Sequence, residues 1–509
     1  MTAPLRNHPT LRTLLLCALY SFVLLFFLSP DSYLRDLYYR CDSAIFFMCG
    51  KAWMNGMTPY VDFADSKGPL LWLIYGIGYL LNHHSYVGVF WISILFYTAT
   101  LYIAYKLSRL FLEPRPSALC VALLPAVMFL NHYHGEVRAE DFCYPFVMYC
   151  LYALCKAIKE AEISKRKYLW LCIGMGICFM ACLLIKWNIA AMIGSTMLCV
   201  FILSFKQKAW LRCLGSMIAG AVVLALPFLI YFLAFADLGA MVQEYFVNTL
   251  VTMHGRTNIM NAFTFDSAMI DREQFVLVLL VGMLLFTWRY KRYFWLLLCF
   301  IVFRVSMGSS CLSYYYTILM PYALFFFIII FAFIFRKWPQ LQQYICLCCP
   351  LLAILIIARD MRHVNAMFNI TLETRQEYYQ TQYVMSQVEK PKIYYGKKGI
   401  HRGIGTSVGS LPACKYWTRQ AGSTPEMEAE RERALQRRAP DFIAYMTNTH
   451  EPTDNAKLIG LGYVPYITIH NLQGDFNCTL YGRPGLKLPP EDFHVSQWDI
   501  WLKRNIFGI

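Results

Sequence analysis

Long apolar blocks separated by short polar connections run through residues 1–358. Blocks of about 16–25 residues match the thickness of a bilayer's hydrocarbon core. Since backbone in lipid must satisfy its own hydrogen bonds, such blocks predict a bundle of transmembrane helices. We predict eleven spans, at 13–30, 86–106, 117–132, 142–158, 168–186, 188–205, 213–236, 273–288, 293–308, 315–335 and 343–358.

The block Gly68–Leu81 is short for a span. Counting it as one would also invert every later loop. We therefore predict a juxtamembrane helix on the outer surface, with Trp72, Tyr75 and Tyr79 at headgroup level.

After Ala358 the composition becomes charged and mixed. Residues 359–509 are predicted to form a soluble domain, separate from the membrane domain of residues 1–358. Lys392–Tyr395 and Phe442–Tyr445 are predicted as short buried strands, with a charged helix at Pro425–Arg437 between them. The predicted fold class is an all-α polytopic membrane protein with a small α/β C-terminal domain.

The distribution of charge predicts the orientation. The chain carries a net charge of +15 with only 15% charged residues. One set of connections holds eighteen Lys and Arg residues and three acids, whereas the alternate set holds nine basic residues and thirteen acids. By the positive-inside rule the N-terminus is cytoplasmic, and the acidic loops and C-terminal domain are periplasmic. This arrangement indicates a bilayer partner and no nucleic acid.

Most of the nineteen cysteines lie inside apolar blocks, where cysteine behaves as a small hydrophobe. Cys414 and Cys478 fall in the soluble domain, and whether they pair in an oxidising compartment stays open.

The first outer loop holds the first candidate for chemistry. Asp42 follows the first span and precedes Phe46 and Phe47. A carboxylate held at a membrane surface can act as a general base. The alternative is that Asp42 only caps a helix.

The order of residues in this loop resembles a known family. Asp42-Ser43 is followed by Gly56-x-x-Pro-Tyr-Val-Asp62-x-x-Asp65-x-Lys67-Gly68-Pro69. This is similar to the first periplasmic loop of GT-C glycosyltransferases of the protein O-mannosyltransferase and lipid A aminoarabinose transferase type. The resemblance implies a polyprenyl-phosphate-linked sugar donor, Asp42 as general base, Lys67 at the donor phosphate, and Asp62 and Asp65 among the substrate-binding residues.

The short outer loop that follows the third predicted span ends in Glu140-Asp141. By the resemblance, Glu140 would assist catalysis and Asp141 would contact substrate. Paired carboxylates could instead share a divalent cation, so a metal cofactor stays open. They could also simply favour the positive end of the next helix.

Cations at the outer ends of later spans are candidates for the donor phosphate. Lys186 separates two apolar blocks and Arg304 ends another; each could bind phosphate or snorkel to the interface. Arg256 lies in the second large outer loop. Tyr315 and Tyr316 are candidate substrate contacts, or part of an aromatic belt.

The leading hypothesis is therefore an inner-membrane glycosyltransferase that transfers a sugar from a lipid-linked donor to lipid A, a glycan or a protein. No glycine-rich nucleotide loop occurs in the sequence. The alternatives are a polysaccharide polymerase and a lipid or sugar flippase, although transporter folds usually show repeated halves.

Overall fold

A computed structural model of the chain describes residues 9–29, 31–33, 41–128, 139–159, 165–250, 270–306, 313–341, 372–396, 403–419, 423–448, 455–470 and 476–493, with short pieces between 344 and 359.

Helices make up the membrane domain, as the apolar blocks predict. They are α1 Pro9–Leu28, α2 Cys41–Met54, α3 Pro69–Leu81, α4 Val87–Ser108, α5 Pro114–Met128, α6 Ala139–Lys159, α7 Lys165–Ile185, α8 Trp187–Lys206, α9 Trp210–Ala234, α10 Leu238–Met241 with a π-helical turn Val242–Val247, α11 Ile270–Arg289, α12 Phe294–Ser306, and α13 Ala323–Lys337 preceded by a 3₁₀ helix Ser313–Tyr322. Within the described residues, seven helices are long and apolar enough to cross a membrane. They are α1, α4, α6, α7, α8, α9, and α13 together with part of the preceding 3₁₀ helix (Thr317–Lys337).

The helix α3 lies on one face of the bundle and does not cross it. At its start, the Gly68 amide donates to the Ile185 carbonyl at the end of α7 (3.0 Å). Just beyond its end, the Tyr86 hydroxyl lies 3.3 Å from the Thr406 hydroxyl of the soluble domain. We predicted Trp72, Tyr75 and Tyr79 at the level of the lipid headgroups. This prediction was wrong in part, because Trp72 and Tyr75 are fully buried against protein. The helix instead leaves Ile77, Leu80 and Leu81 exposed.

The first outer loop, which holds Ala64, and the second large outer loop, which holds Glu244, contact the soluble domain on this face. We call it the loop face. The amide of Ala64 donates to the Lys415 carbonyl (3.0 Å), and the Tyr416 hydroxyl donates to Glu244 (2.8 Å). A chain that returns to one face crosses an even number of times. The six helices α4–α9 satisfy this condition between residues 87 and 234. The helices α11–α13 need a fourth crossing, which favours the predicted span at 343–358; the total of eleven stays a prediction.

The C-terminal domain is a small α/β fold, as predicted. Its elements are α14 Leu372–Met385, β1 Lys392–Tyr395, β2 Leu411–Pro412, α15 Pro425–Gln436, β3 Phe442–Asn448, α16 Ala456–Gly460, β4 Val464–Ile469 and β5 Phe476–Gly482. The described strands have the order β2-β1-β3-β5-β4. The predicted βαβ unit is present, because β1 and β3 pair in parallel with α15 between them. The domain boundary at residue 358 stays a prediction.

The two cysteines of the soluble domain are not paired. Cys414 and Cys478 are both free thiols. Cys478 lies in β5, and the strands β1 and β3 separate it from β2, which Cys414 follows. Burial raises the pKa of Cys414 to about 11.

Candidate active site

A buried ion pair lies where α7 gives way to α8. Lys186 is extended (φ −155°, ψ 99°) between the two helices, and its Nζ contacts Glu140 Oε1 in the first turn of α6. The side chains are only 8% and 3% exposed. Burial of both charges is costly unless they pair. Glu140 therefore holds Lys186 at this position, and its catalytic role stays a prediction.

The segment carrying Lys67 is seated directly on this α7–α8 junction. The Gly68 amide donates to Ile185, so Lys67 and Lys186 each adjoin one partner of the same hydrogen bond. A Cβ at Gly68 would lie 2.0 Å from the Leu184 carbonyl oxygen. Only glycine lets the two backbones approach this closely. Pro69 then begins α3, a position that proline favours. Close packing of the two backbones thus explains the glycine of the Lys67-Gly68-Pro69 sequence, and the start of α3 explains its proline.

Lys67 also has neighbours within the first loop. Its Nζ lies 4.0 Å from the Asp65 carboxylate and 5.6 Å from the centre of the Phe46 ring. Phe46 lies one helical turn after Asp42 in α2, on the same side of that helix. This places Asp42 on the side of α2 that faces Lys67. The Asp42 side chain is half-buried, in keeping with a surface that substrate can reach.

Two buried tyrosines connect these segments. The Tyr60 hydroxyl donates to the Lys67 carbonyl (2.8 Å). Tyr245 receives a hydrogen bond from the Trp187 amide (2.8 Å) and donates to the Leu183 carbonyl (2.7 Å). Burial, followed by the neighbouring Tyr245 and then the negative charge of Asp65, raises the pKa of Tyr60 well above its ordinary value. The phenol therefore stays a proton donor.

The remaining acids of the first two loops have separate places. Asp62 is exposed and accepts from the Thr58 amide (2.6 Å), which closes a turn. Asp141 accepts from the Tyr97 hydroxyl (3.4 Å). The Tyr75 hydroxyl bonds Ser43 and lies within electrostatic reach of Asp141. The structure thus brings the start of α6 close to the start of α2, while Asp62 bonds within its own loop. The substrate-binding roles of Asp62, Asp65 and Asp141 stay predictions.

The structure describes the remaining four predicted residues only in part. Arg304 is half-buried in the last turn of α12, and α12 packs on α8, the helix that follows Lys186. Tyr315 and Tyr316 lie in the 3₁₀ helix Ser313–Tyr322, with side chains outside the described part of the chain. Arg256 lies outside the described residues altogether. Their assignments stay predictions.

A metal centre finds no support in the described part of the chain. Those residues hold no cluster of three His, Cys, Asp or Glu side chains that could bind an ion. Glu140, the acid proposed for such a role, is occupied by an ammonium group.

The structure adds residues that sequence reasoning missed. Tyr60, Glu244 and Tyr245 are buried around the α7–α8 junction, and Lys415 and Tyr416 reach the same region from the soluble domain. Only Tyr60 stood within a motif that sequence reasoning had singled out. The others lie far apart along the chain and carry no local signal.

A family of known proteins matches part of the chain in sequence. The sequence model of the family described as dolichyl-phosphate-mannose-protein mannosyltransferase matches residues 66–234. That range begins beside Lys67 and includes Glu140 and Lys186. No curated protein matches the chain in sequence.

Solved structures share the fold at low sequence identity. Crystal structures of ArnT from Cupriavidus metallidurans match bound to undecaprenyl phosphate (11% identity, 96% of this chain, 100% of that chain, TM-score 0.63) and in the apo state (11%, 92% and 97%, TM-score 0.57). An oligosaccharyltransferase from Archaeoglobus fulgidus also matches (12%, 97% and 75%, TM-score 0.48).

The fold is therefore that of a polytopic membrane protein of the GT-C type. The family match and this shared fold support a membrane glycosyltransferase of the GT-C superfamily, which confirms the resemblance stated from the sequence.

Proposed function

We propose that this protein transfers a sugar from a polyprenyl-phosphate donor to an acceptor hydroxyl or amine at the loop face. The loop face would be the periplasmic side of a bacterial inner membrane. The observation that carries the proposal is the hydrogen bond from the Gly68 amide to the Ile185 carbonyl, which joins the backbone that carries Lys67 to the backbone that carries Lys186.

The proposed reaction is a single inverting displacement. The acceptor attacks the anomeric carbon while the bond from that carbon to the phosphate oxygen breaks. Asp42 accepts the acceptor's proton, and the polyprenyl phosphate leaves as an anion. No general acid is needed for this leaving group.

The cations would stabilise the charge that develops on the phosphate. Lys67 and Lys186 are partly or fully withdrawn from water (side chains 15% and 8% exposed). Fixed positive groups in such surroundings stabilise developing charge more than they would in bulk water. Arg304 and Arg256 are proposed as further phosphate ligands. The structure of ArnT from Cupriavidus metallidurans bound to undecaprenyl phosphate supports a lipid phosphate as the ligand.

The test is transfer by the purified full-length protein in lipid nanodiscs, with polyprenyl-phosphate sugars as donors and extracted lipids, glycans or proteins as acceptors. Asp42→Asn should abolish transfer while leaving the thermal midpoint unchanged. Asp237→Asn is the matched control, because Asp237 in another outer loop caps α10 by accepting from the Ala240 amide (2.9 Å), and asparagine caps a helix equally well. Transfer at the wild-type rate by Asp42→Asn would remove Asp42 as the base.

A further inference from the structure

The soluble domain reaches the candidate active site through two adjacent residues. The Lys415 carbonyl accepts from the Ala64 amide (3.0 Å), three residues before Lys67. The Lys415 ammonium lies 2.7 Å from Glu244 Oε1, and the Tyr416 hydroxyl donates to the same oxygen (2.8 Å). One dipeptide of the soluble domain therefore binds the two large outer loops of the membrane domain.

Glu244 is joined to the site by its neighbour in sequence. Glu244 and Tyr245 both lie in the π-helical turn Val242–Val247. Tyr245 bonds the backbone of Leu183 and Trp187 on either side of Lys186. A π-helical turn is rare and often marks a functional position. Here it directs two consecutive side chains, one to the soluble domain and one to the α7–α8 junction.

We propose that Lys415, Tyr416, Glu244 and Tyr245 form a clamp through which the soluble domain positions Lys67 and Lys186 for the donor phosphate. This inference rests on the proposed function and assigns the soluble domain a part in it. These four are positioning residues, since each acts through the backbone that carries the lysines.

The clamp is buried, so that breaking one of its contacts costs free energy. Glu244 is 8% exposed. It accepts hydrogen bonds from the Tyr416 hydroxyl and from the side-chain Nδ2 of Asn248 (3.0 Å), and it forms an ion pair with Lys415. A buried carboxylate that loses one such donor bears a desolvation cost. Tyr416 also packs with Ala64 and Met427. Burial, then its hydrogen bond to Glu244, raises the pKa of Tyr416, so it remains a donor at physiological pH.

The clamp is tested with Tyr416→Phe in the full-length protein. Tyr463→Phe is the matched control, because Tyr463 is buried in the same domain and donates to a backbone carbonyl, of Pro440 (2.9 Å), away from the loops. The first readout is amide hydrogen exchange at Gly68 and Trp187, which reports local opening. The second is the donor KM and kcat of transfer.

Tyr416→Phe should speed exchange at both amides by on the order of 10-fold and lower kcat/KM for the donor by roughly 10- to 100-fold, as small misplacements of catalytic groups do. Tyr463→Phe should leave both readouts at wild-type values. If Tyr416→Phe fails to fold, Lys415→Met gives the same two readouts.

If the folded Tyr416→Phe variant exchanges the Gly68 and Trp187 amides at the wild-type rate, the clamp is refuted, whether or not transfer changes. The proposed function fails separately, if the wild-type protein shows no transfer although exchange still responds to Tyr416→Phe.

Discussion

The Lys186–Glu140 pair allows structure and chemistry to be separated by three variants. Both side chains are almost fully buried (8% and 3% exposed). Lys186→Met leaves the Glu140 carboxylate buried with its ammonium partner gone, which costs about 3–5 kcal/mol. The double variant Lys186→Met with Glu140→Leu removes both charges and keeps similar volume. Such apolar replacements of buried pairs are often neutral or stabilising, by up to roughly 4 kcal/mol.

The assay combines thermal unfolding in nanodiscs with donor transfer. Lys186→Met should lower the thermal midpoint, and the double variant should restore it. Activity should stay lost in both, because the lysine is needed for the phosphate as well as for the fold. The exposed pair Lys457–Glu432 (57% and 39% exposed) is the control, and its removal should change stability by about 1 kcal/mol or less. If the double variant regains wild-type transfer, Lys186 has no role at the donor.

Two further predictions concern the first loop and its contacts. Gly68→Ala should displace the Lys67 segment and sharply reduce transfer, because its Cβ would lie 2.0 Å from Leu184 O; Gly215→Ala, at a position with open space, should be harmless, and equal activity of the two variants would refute the steric argument. Burial lowers the pKa of Lys51 from 10.5 to about 7, where it donates to the Thr406 carbonyl (3.2 Å). Between about pH 7 and 10 the unfolded chain binds more protons at this residue, so stability should rise with pH, by at most about 1.4 kcal/mol per pH unit. Thermal midpoints from pH 6.5 to 8.5 should show a smaller slope for Lys51→Met than for wild type, and equal slopes would contradict a buried Lys51.

Much of the membrane domain follows from local pattern. The apolar blocks predict the positions of α4, α7 and α8 to within about three residues, because the hydrophobic effect and backbone hydrogen bonding act along each segment independently. The βαβ unit followed from the same kind of signal. The strand β4 (Val464–Ile469) could not be predicted in this way, because it is half-exposed and has a proline at its second position.

Partners distant in sequence were harder to predict. Lys186 and Glu140 were both singled out, yet their pairing follows from the packing of α6 against α7, which no local pattern specifies. Tyr75 was predicted to face headgroups, because an aromatic residue in an apolar block suits an interface. The structure packs α3 against α2 instead, and this contact buries Tyr75. Glu244 and Tyr416 are separated by 172 positions, so their contact is a property of the fold alone.

If Lys67 and Lys186 act on one donor phosphate, the protein should bind a lipid more tightly when that lipid carries a phosphate. Undecaprenyl phosphate and undecaprenol are compared as ligands of the wild-type protein and of Lys67→Met in nanodiscs. We expect the phosphate to tighten binding to wild type. Lys67→Met should lose roughly 10-fold or more of this preference, since hydrogen bonds to charged groups contribute about 1.5–3 kcal/mol. Equal affinity of wild type for the two lipids, or an unchanged preference in Lys67→Met, would contradict it.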